Sequence, residues 1–84
     1  MYSENVTVGN IFDKYANPIA EVVSKACSHE ADVYASLDNK RVNLKSIMGI
    51  MAFQWDEGLV VKVEGTGEDA EEAVKEICSF LSCQ

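Results

Sequence analysis

Histidine occurs once in these 84 residues, at His29, and the three cysteines, Cys27, Cys78 and Cys83, form no Cys-x-x-Cys pair. A zinc site needs more clustered ligands than that, so no metal or other cofactor is expected. An odd cysteine count argues against a disulfide framework. Cys27 and Cys78 are expected as reduced thiols packed like small apolar residues, with Cys83 exposed near the C-terminus. No stretch approaches the roughly 20 apolar residues of a membrane span. The opening segment lacks the basic residues and apolar run of a signal peptide. The chain is therefore expected in the cytoplasm, away from membranes. It carries no repeat, low-complexity tract or linker, and residues 1–84 read as one domain. Basic residues are few: Lys and Arg number 7 against 14 acids, a net charge of −7. Such a chain repels nucleic acid and anionic lipid. Its charge suits a protein partner with a basic surface.

Hydrophobic content is 48% and charged content 25%, ordinary for a soluble globular domain. A domain of this length buries about 60% of its unfolded surface or slightly more, enough for one layer of side chains between two layers of backbone. Tyr2 to Val8 reads as a strand with Val6 and Val8 on one face. Gly9 to Tyr15 reads as a loop. Asn17-Pro18 starts a helix, because Asn caps well and Pro at the first position leaves no N–H unpaired. Ile19, Val22, Val23, Ala26 and Cys27 follow at helical spacing, and the helix should end near Ser28-His29. Val33, Ala35 and Leu37 alternate with polar neighbours as a strand. Asp38-Asn39 is turn chemistry, leading to a short strand over Lys40 to Asn43.

Ser46 is a plausible N-cap for a short helix to about Phe53. Leu59, Val61 and Val63 form a fourth alternating strand, and Gly65-Thr66-Gly67 turns the chain. Asp69 with Glu72 has capping-box spacing, and acids crowd the first turn where the helix dipole favours them. Ala70, Ala73, Val74, Ile77, Cys78 and Leu81 supply the apolar face of a final helix.

The order is βαββαβα. A right-handed crossover sets the first two strands parallel with a gap between them. The fourth strand fills the gap, antiparallel to both, and the third pairs outside the second. The fold class is α+β, an open-faced sandwich of a four-stranded antiparallel sheet with three helices on one face.

Asn43-Leu44-Lys45-Ser46-Ile47-Met48-Gly49 resembles the regulatory-serine segment of the HPr proteins, the phosphocarriers of the phosphotransferase system. Gly65 to Ala73 is similar to the family's acidic approach to its last helix, and the element order agrees along the whole chain. The resemblance implies an HPr-like domain. The family's carrier loop reads His-Ala-Arg-Pro, and the matching stretch here is Tyr15-Ala16-Asn17-Pro18. Neutral imidazole is nucleophilic near neutral pH and its phosphoramidate is labile. A phenol titrates near pH 10, and its phosphoester passes phosphate on far less readily. Asn17 lacks the fork of N–H donors with which arginine grips a phosphoryl group. Two parts of one site are missing together, so no catalytic residue is assigned.

Crh-type members of the family likewise lack the carrier histidine and keep the regulatory serine. That resemblance implies phosphorylation of Ser46 by an ATP-dependent HPr kinase/phosphorylase. It also implies corepressor action on a LacI-type catabolite-control regulator such as CcpA, with no direct contact to nucleic acid. Tyr15, Asn17, Ile47, Met48 and Met51 are the expected partner contacts, with Lys40, Arg41 and Lys45 softening the phosphate charge. Read from the residues alone, Ser46 is also a plain N-cap, and Tyr15 is an exposed loop residue that serves as a docking residue, a phosphotyrosine or filler. His29 is a surface or capping side chain, and Trp55 a lid over the core. Two competitors remain open: a scaffold of the same fold that is never phosphorylated, and a phosphocarrier using another acceptor.

Overall fold

The computed structural model describes residues 1–51 and 53–82. Strand β1 (Tyr2–Thr7) leads into α1 (Ile11–Lys14) and α2 (Pro18–Cys27). The hairpin β2 (Asp32–Leu37) and β3 (Lys40–Asn43) follows, then α3 (Ile47–Ile50), β4 (Val60–Thr66) and α4 (Ala70–Ser82). The sheet order is β1-β4-β2-β3, with every neighbouring pair antiparallel. The registers Val6↔Val61 and Ala35↔Val63 line up the inward residues of three strands. In β4, Val61, Val63 and Gly65 are buried while Val60, Lys62 and Thr66 are exposed. One face of the sheet is therefore covered and the other meets water. The fold is the α+β open sheet that the alternation of apolar residues implies.

Helix α2 begins where its residues dictate. Pro18 takes the first helical position, and the Asn17 side chain accepts a hydrogen bond from the Ala20 N–H. At Gly65 a Cβ would stand 3.0 Å from the Val74 Cγ2 and 3.2 Å from the Ala70 Cβ. Only a glycine there lets α4 lie so close on β4.

Several expectations are corrected. The segment before Tyr15 is not a plain loop but contains the one-turn helix α1, so among the described residues the sheet is accompanied by four helices rather than three. One turn is too short to produce a periodic pattern. It is held by Ile11, fully buried, and by an Asn10–Asp13 side-chain hydrogen bond of 2.8 Å. Helix α3 ends at Ile50, short of Phe53; Ala52 lies outside the described residues. Strand β4 continues through Gly65 and Thr66, and the turn begins only at Gly67.

Asp69 does not close a capping box with Glu72. Its carboxylate reaches across to accept from the Ala31 N–H at 2.8 Å and the Glu30 N–H at 3.1 Å. Cys78 is buried, and burial pushes its thiol up to about 11. Cys27 is exposed instead of packed. The inward stripe of α2 runs through Pro18, Val22 and Ala26, and its flank opens to solvent at the last turn. Cys83 lies outside the described residues.

Candidate functional site

Ser46 sits in extended backbone at the start of α3, and its Oγ accepts from the Gly49 N–H at 3.2 Å. Its own N–H donates to the Asn43 carbonyl at 3.1 Å, and its carbonyl accepts from the Ile50 N–H at 3.0 Å. Asn43 braces the approach, because its Oδ1 accepts from the Lys45 N–H at 2.9 Å. Gly49 completes the fit: a Cβ there would come within 3.3 Å of the Asn43 carbonyl oxygen.

One turn of helix cannot bury five apolar side chains. Ile50 is fully buried, whereas Ile47, Met48 and Met51 are 51%, 86% and 68% exposed. A monomer rarely leaves such a cluster in water without a use for it, and methionine adapts to many partner shapes. Phe12 of α1, 55% exposed, joins this surface. Together with Ile19, Met51, Phe53 and Trp55 it lines an open groove between α1, α2 and the end of α3. Phe12 belongs to this candidate surface, and sequence reasoning missed it. Its only sequence signal is a large aromatic beside Ile11 in a segment without periodicity.

The Tyr15 loop is built differently. Tyr15 is half-buried, not exposed, and its ring packs on Phe80 of α4 with centroids 4.5 Å apart. Lys25 lies over the Phe80 ring at 5.2 Å. Phe80 itself is buried. The Asn17 side chain is engaged as the α2 cap. Both residues expected as partner contacts at this loop therefore also have structural duties.

The charges near Ser46 are likewise engaged elsewhere. The Lys45 Nζ donates to the carbonyls of His29 at 3.0 Å and Glu30 at 3.4 Å. Arg41 lies over the Tyr34 ring at 4.1 Å and reaches Glu64 at 3.9 Å. Neither is aimed at Ser46, contrary to expectation.

His29 is not a free surface side chain. Its Nδ1 is 3.2 Å from Asp69 Oδ2 and its Nε2 is 2.7 Å from Glu76 Oε1. The hydrogen bond to Glu76, then that to Asp69, holds the imidazole above its usual 6.5 against the opposing effect of burial. Burial acts to raise Asp69, but the Ala31 and Glu30 N–H groups and the His29 ring outweigh it and hold the carboxyl below its usual range. The sequence signal is faint: two acids seven residues apart, at the start of α4 and on its second turn. Among the described residues, no group of three or more His, Cys, Asp or Glu side chains could hold a metal ion. Nor, among them, is any helix long and apolar enough to cross a membrane.

This architecture matches known proteins. The family model described as the PTS HPr component phosphorylation site matches residues 2–82. The HPr-like protein Crh of Bacillus subtilis (strain 168) is 36% identical over 66 residues, covering 79% of this chain and 78% of Crh. The crystal structure of the phosphocarrier protein HPr from Bacillus anthracis superposes with a TM-score of 0.87 at 34% identity, covering 95% of each chain. A crystal structure of B. subtilis Crh, a swapped dimer, superposes with a TM-score of 0.74 at 33% identity, covering 90% of this chain and 83% of that one. Family model, relatives and backbone agree from β1 to α4, and the chain belongs to the HPr family, as a Crh-like member.

Proposed function

We propose that this Crh-like protein is a regulatory binding protein, switched by phosphorylation of Ser46, and not a relay of phosphate through histidine. The observation that carries the reading is the pairing of one hydroxyl with an apolar patch. Ser46 Oγ stands at the start of α3, beside Ile47, Met48 and Met51 in solvent. A phosphoryl group on that oxygen adds about −1.5 to −2 charges at pH 7 while keeping an acceptor for the Gly49 N–H. The surface a partner meets changes, and the fold does not. Tyr15 and Asn17 support the negative half of the reading. The phenol is packed on Phe80 and the amide caps α2, so neither is built to receive and release phosphate.

The kinase in this reading is an ATP-dependent HPr kinase/phosphorylase. The reader of the phosphorylated form is a LacI-type catabolite-control regulator, contacted through Ile47, Met48 and Met51, with Tyr15 and Asn17 at the margin. The protein works as a binding partner in the cytoplasm, touches neither nucleic acid nor membrane, and catalyses no reaction. Its similarity to Crh supports the link to catabolite repression.

Incubation with an HPr kinase, ATP and magnesium tests this. Intact mass should show one added phosphate, lost in Ser46→Ala. An unmodified mass would favour an unphosphorylated scaffold, a second reading favoured by the Phe12–Met51 groove, which is complete without any modification. Acid-labile phosphate acquired from phosphoenolpyruvate through Enzyme I would show a phosphocarrier using another acceptor and overturn the regulatory reading.

A further inference from the structure

Helix α3 has four residues, far below the length at which a helix sustains itself in water. Something outside it must hold its two ends. At the first end Ser46 does so, through the Gly49 N–H. At the other end the last carbonyls of a helix run out of helical partners. The Ile47 carbonyl accepts from the Met51 N–H at 3.0 Å. The Ile50 carbonyl, on a fully buried residue, accepts from the Phe53 N–H at 3.2 Å and from the Trp55 indole N–H at 2.9 Å. That N–H is the only donor an indole has.

Trp55 is 4% exposed and packs on Phe53 with ring centroids 5.2 Å apart. The same two residues form the floor of the groove that Phe12 and Met51 flank. Trp55 thus touches both the end of the serine turn and the surface on which a partner would lie.

We propose that Trp55 is the positioning residue of the Ser46 turn: its indole N–H, bonded to the Ile50 carbonyl, sets where Ser46, Met48 and Met51 stand for the kinase. The proposal rests on the reading of Ser46 as the switch. Without that bond the far end keeps only the backbone hydrogen bonds from the Met51 and Phe53 N–H groups. Met51, the residue after the last helical turn, then loses its fixed place at the groove, and the serine hydroxyl is presented in more than one orientation.

Two variants separate the hydrogen bond from simple packing. Trp55→Phe keeps an aromatic ring and removes the N–H. Phe53→Leu removes the ring pair and keeps the N–H. Amide hydrogen exchange at Met51 and Phe53 should run about five-fold faster in Trp55→Phe than in Phe53→Leu, as loss of one hydrogen bond implies. In steady-state phosphorylation by an HPr kinase, Trp55→Phe should raise KM about five-fold with kcat within about two-fold, a larger rise in KM than Phe53→Leu gives. Equal exchange in the two variants overturns the clamp. Faster exchange with an unchanged KM overturns the positioning role. If the wild-type protein takes no phosphate, the reading of Ser46 falls, and the exchange comparison alone still decides whether Trp55 clamps the turn.

Discussion

The N-termini of α2 and α3 are built in opposite ways. At the start of α2, Asn17 caps the helix and Tyr15 packs on Phe80. At the start of α3, Ser46 caps the turn, yet Ile47, Met48 and Met51 are left in water. The first N-terminus has been drawn into the structure of the protein. The second keeps a surface available to something else. On the proposed reading, the uncovered apolar groups beside the Ser46 hydroxyl give a partner something to grip and the phosphate something for it to sense.

The largest effect separating the two should come from Phe80→Ala. It removes the support of Tyr15 from a buried position and is expected to lower unfolding free energy by about 3 kcal/mol or more in urea titration. A loss below about 1 kcal/mol would mean that the aromatic pair contributes little. Next comes the double variant Met48→Ala with Met51→Ala. Its stability should stay within about 0.5 kcal/mol of wild type, because both side chains already face water. Its affinity for the regulator should fall about ten-fold or more, measured by calorimetry with the phosphorylated protein. Unchanged binding would move the docking surface away from α3.

Ser46→Ala should cost about 1 kcal/mol through the lost cap, visible as a lower urea midpoint with an unchanged slope. Ser46→Asp should recover most of that stability, since aspartate also caps. The smallest effect lies away from these two helix starts, at His29. Its folded-state value is raised, so the protonated ring stabilises the fold fully below the unfolded value near 6.5 and stops doing so as pH rises through the folded value. His29→Gln should therefore be most destabilising below about pH 6.5 and approach wild type well above it. A difference that grows with pH would contradict the pairing with Glu76 and Asp69.

Local patterns carry far in this chain. Asn17-Pro18 marks the start of α2 because capping and proline geometry need only neighbouring residues. The alternation in β2 and β4 shows which residues face the core, and the sheet order follows from crossover handedness with no side-chain detail. Ser46 is legible as an N-cap for the same local reason. Phe12 is not, since α1 is one turn fixed by the burial of Ile11. Tyr15 reads as exposed in the sequence because its partner Phe80 lies 65 positions later in the chain. Cys27 reads as packed because helical spacing gives a stripe but not the point at which its neighbours end.

By itself the sequence determined the four strands and every helix but α1, the class of fold, the family and the absence of histidine at position 15. All of these depend on residue type and spacing along the chain. The tertiary structure alone decided that Asp69 ties the start of β2 to α4 rather than capping its own helix. It also decided that His29 bridges two carboxylates, and that Trp55 holds the far end of the Ser46 turn. Those contacts join residues brought together only when the sheet and helices pack. Their hydrogen bonds follow from distance in space, which spacing in the chain does not encode.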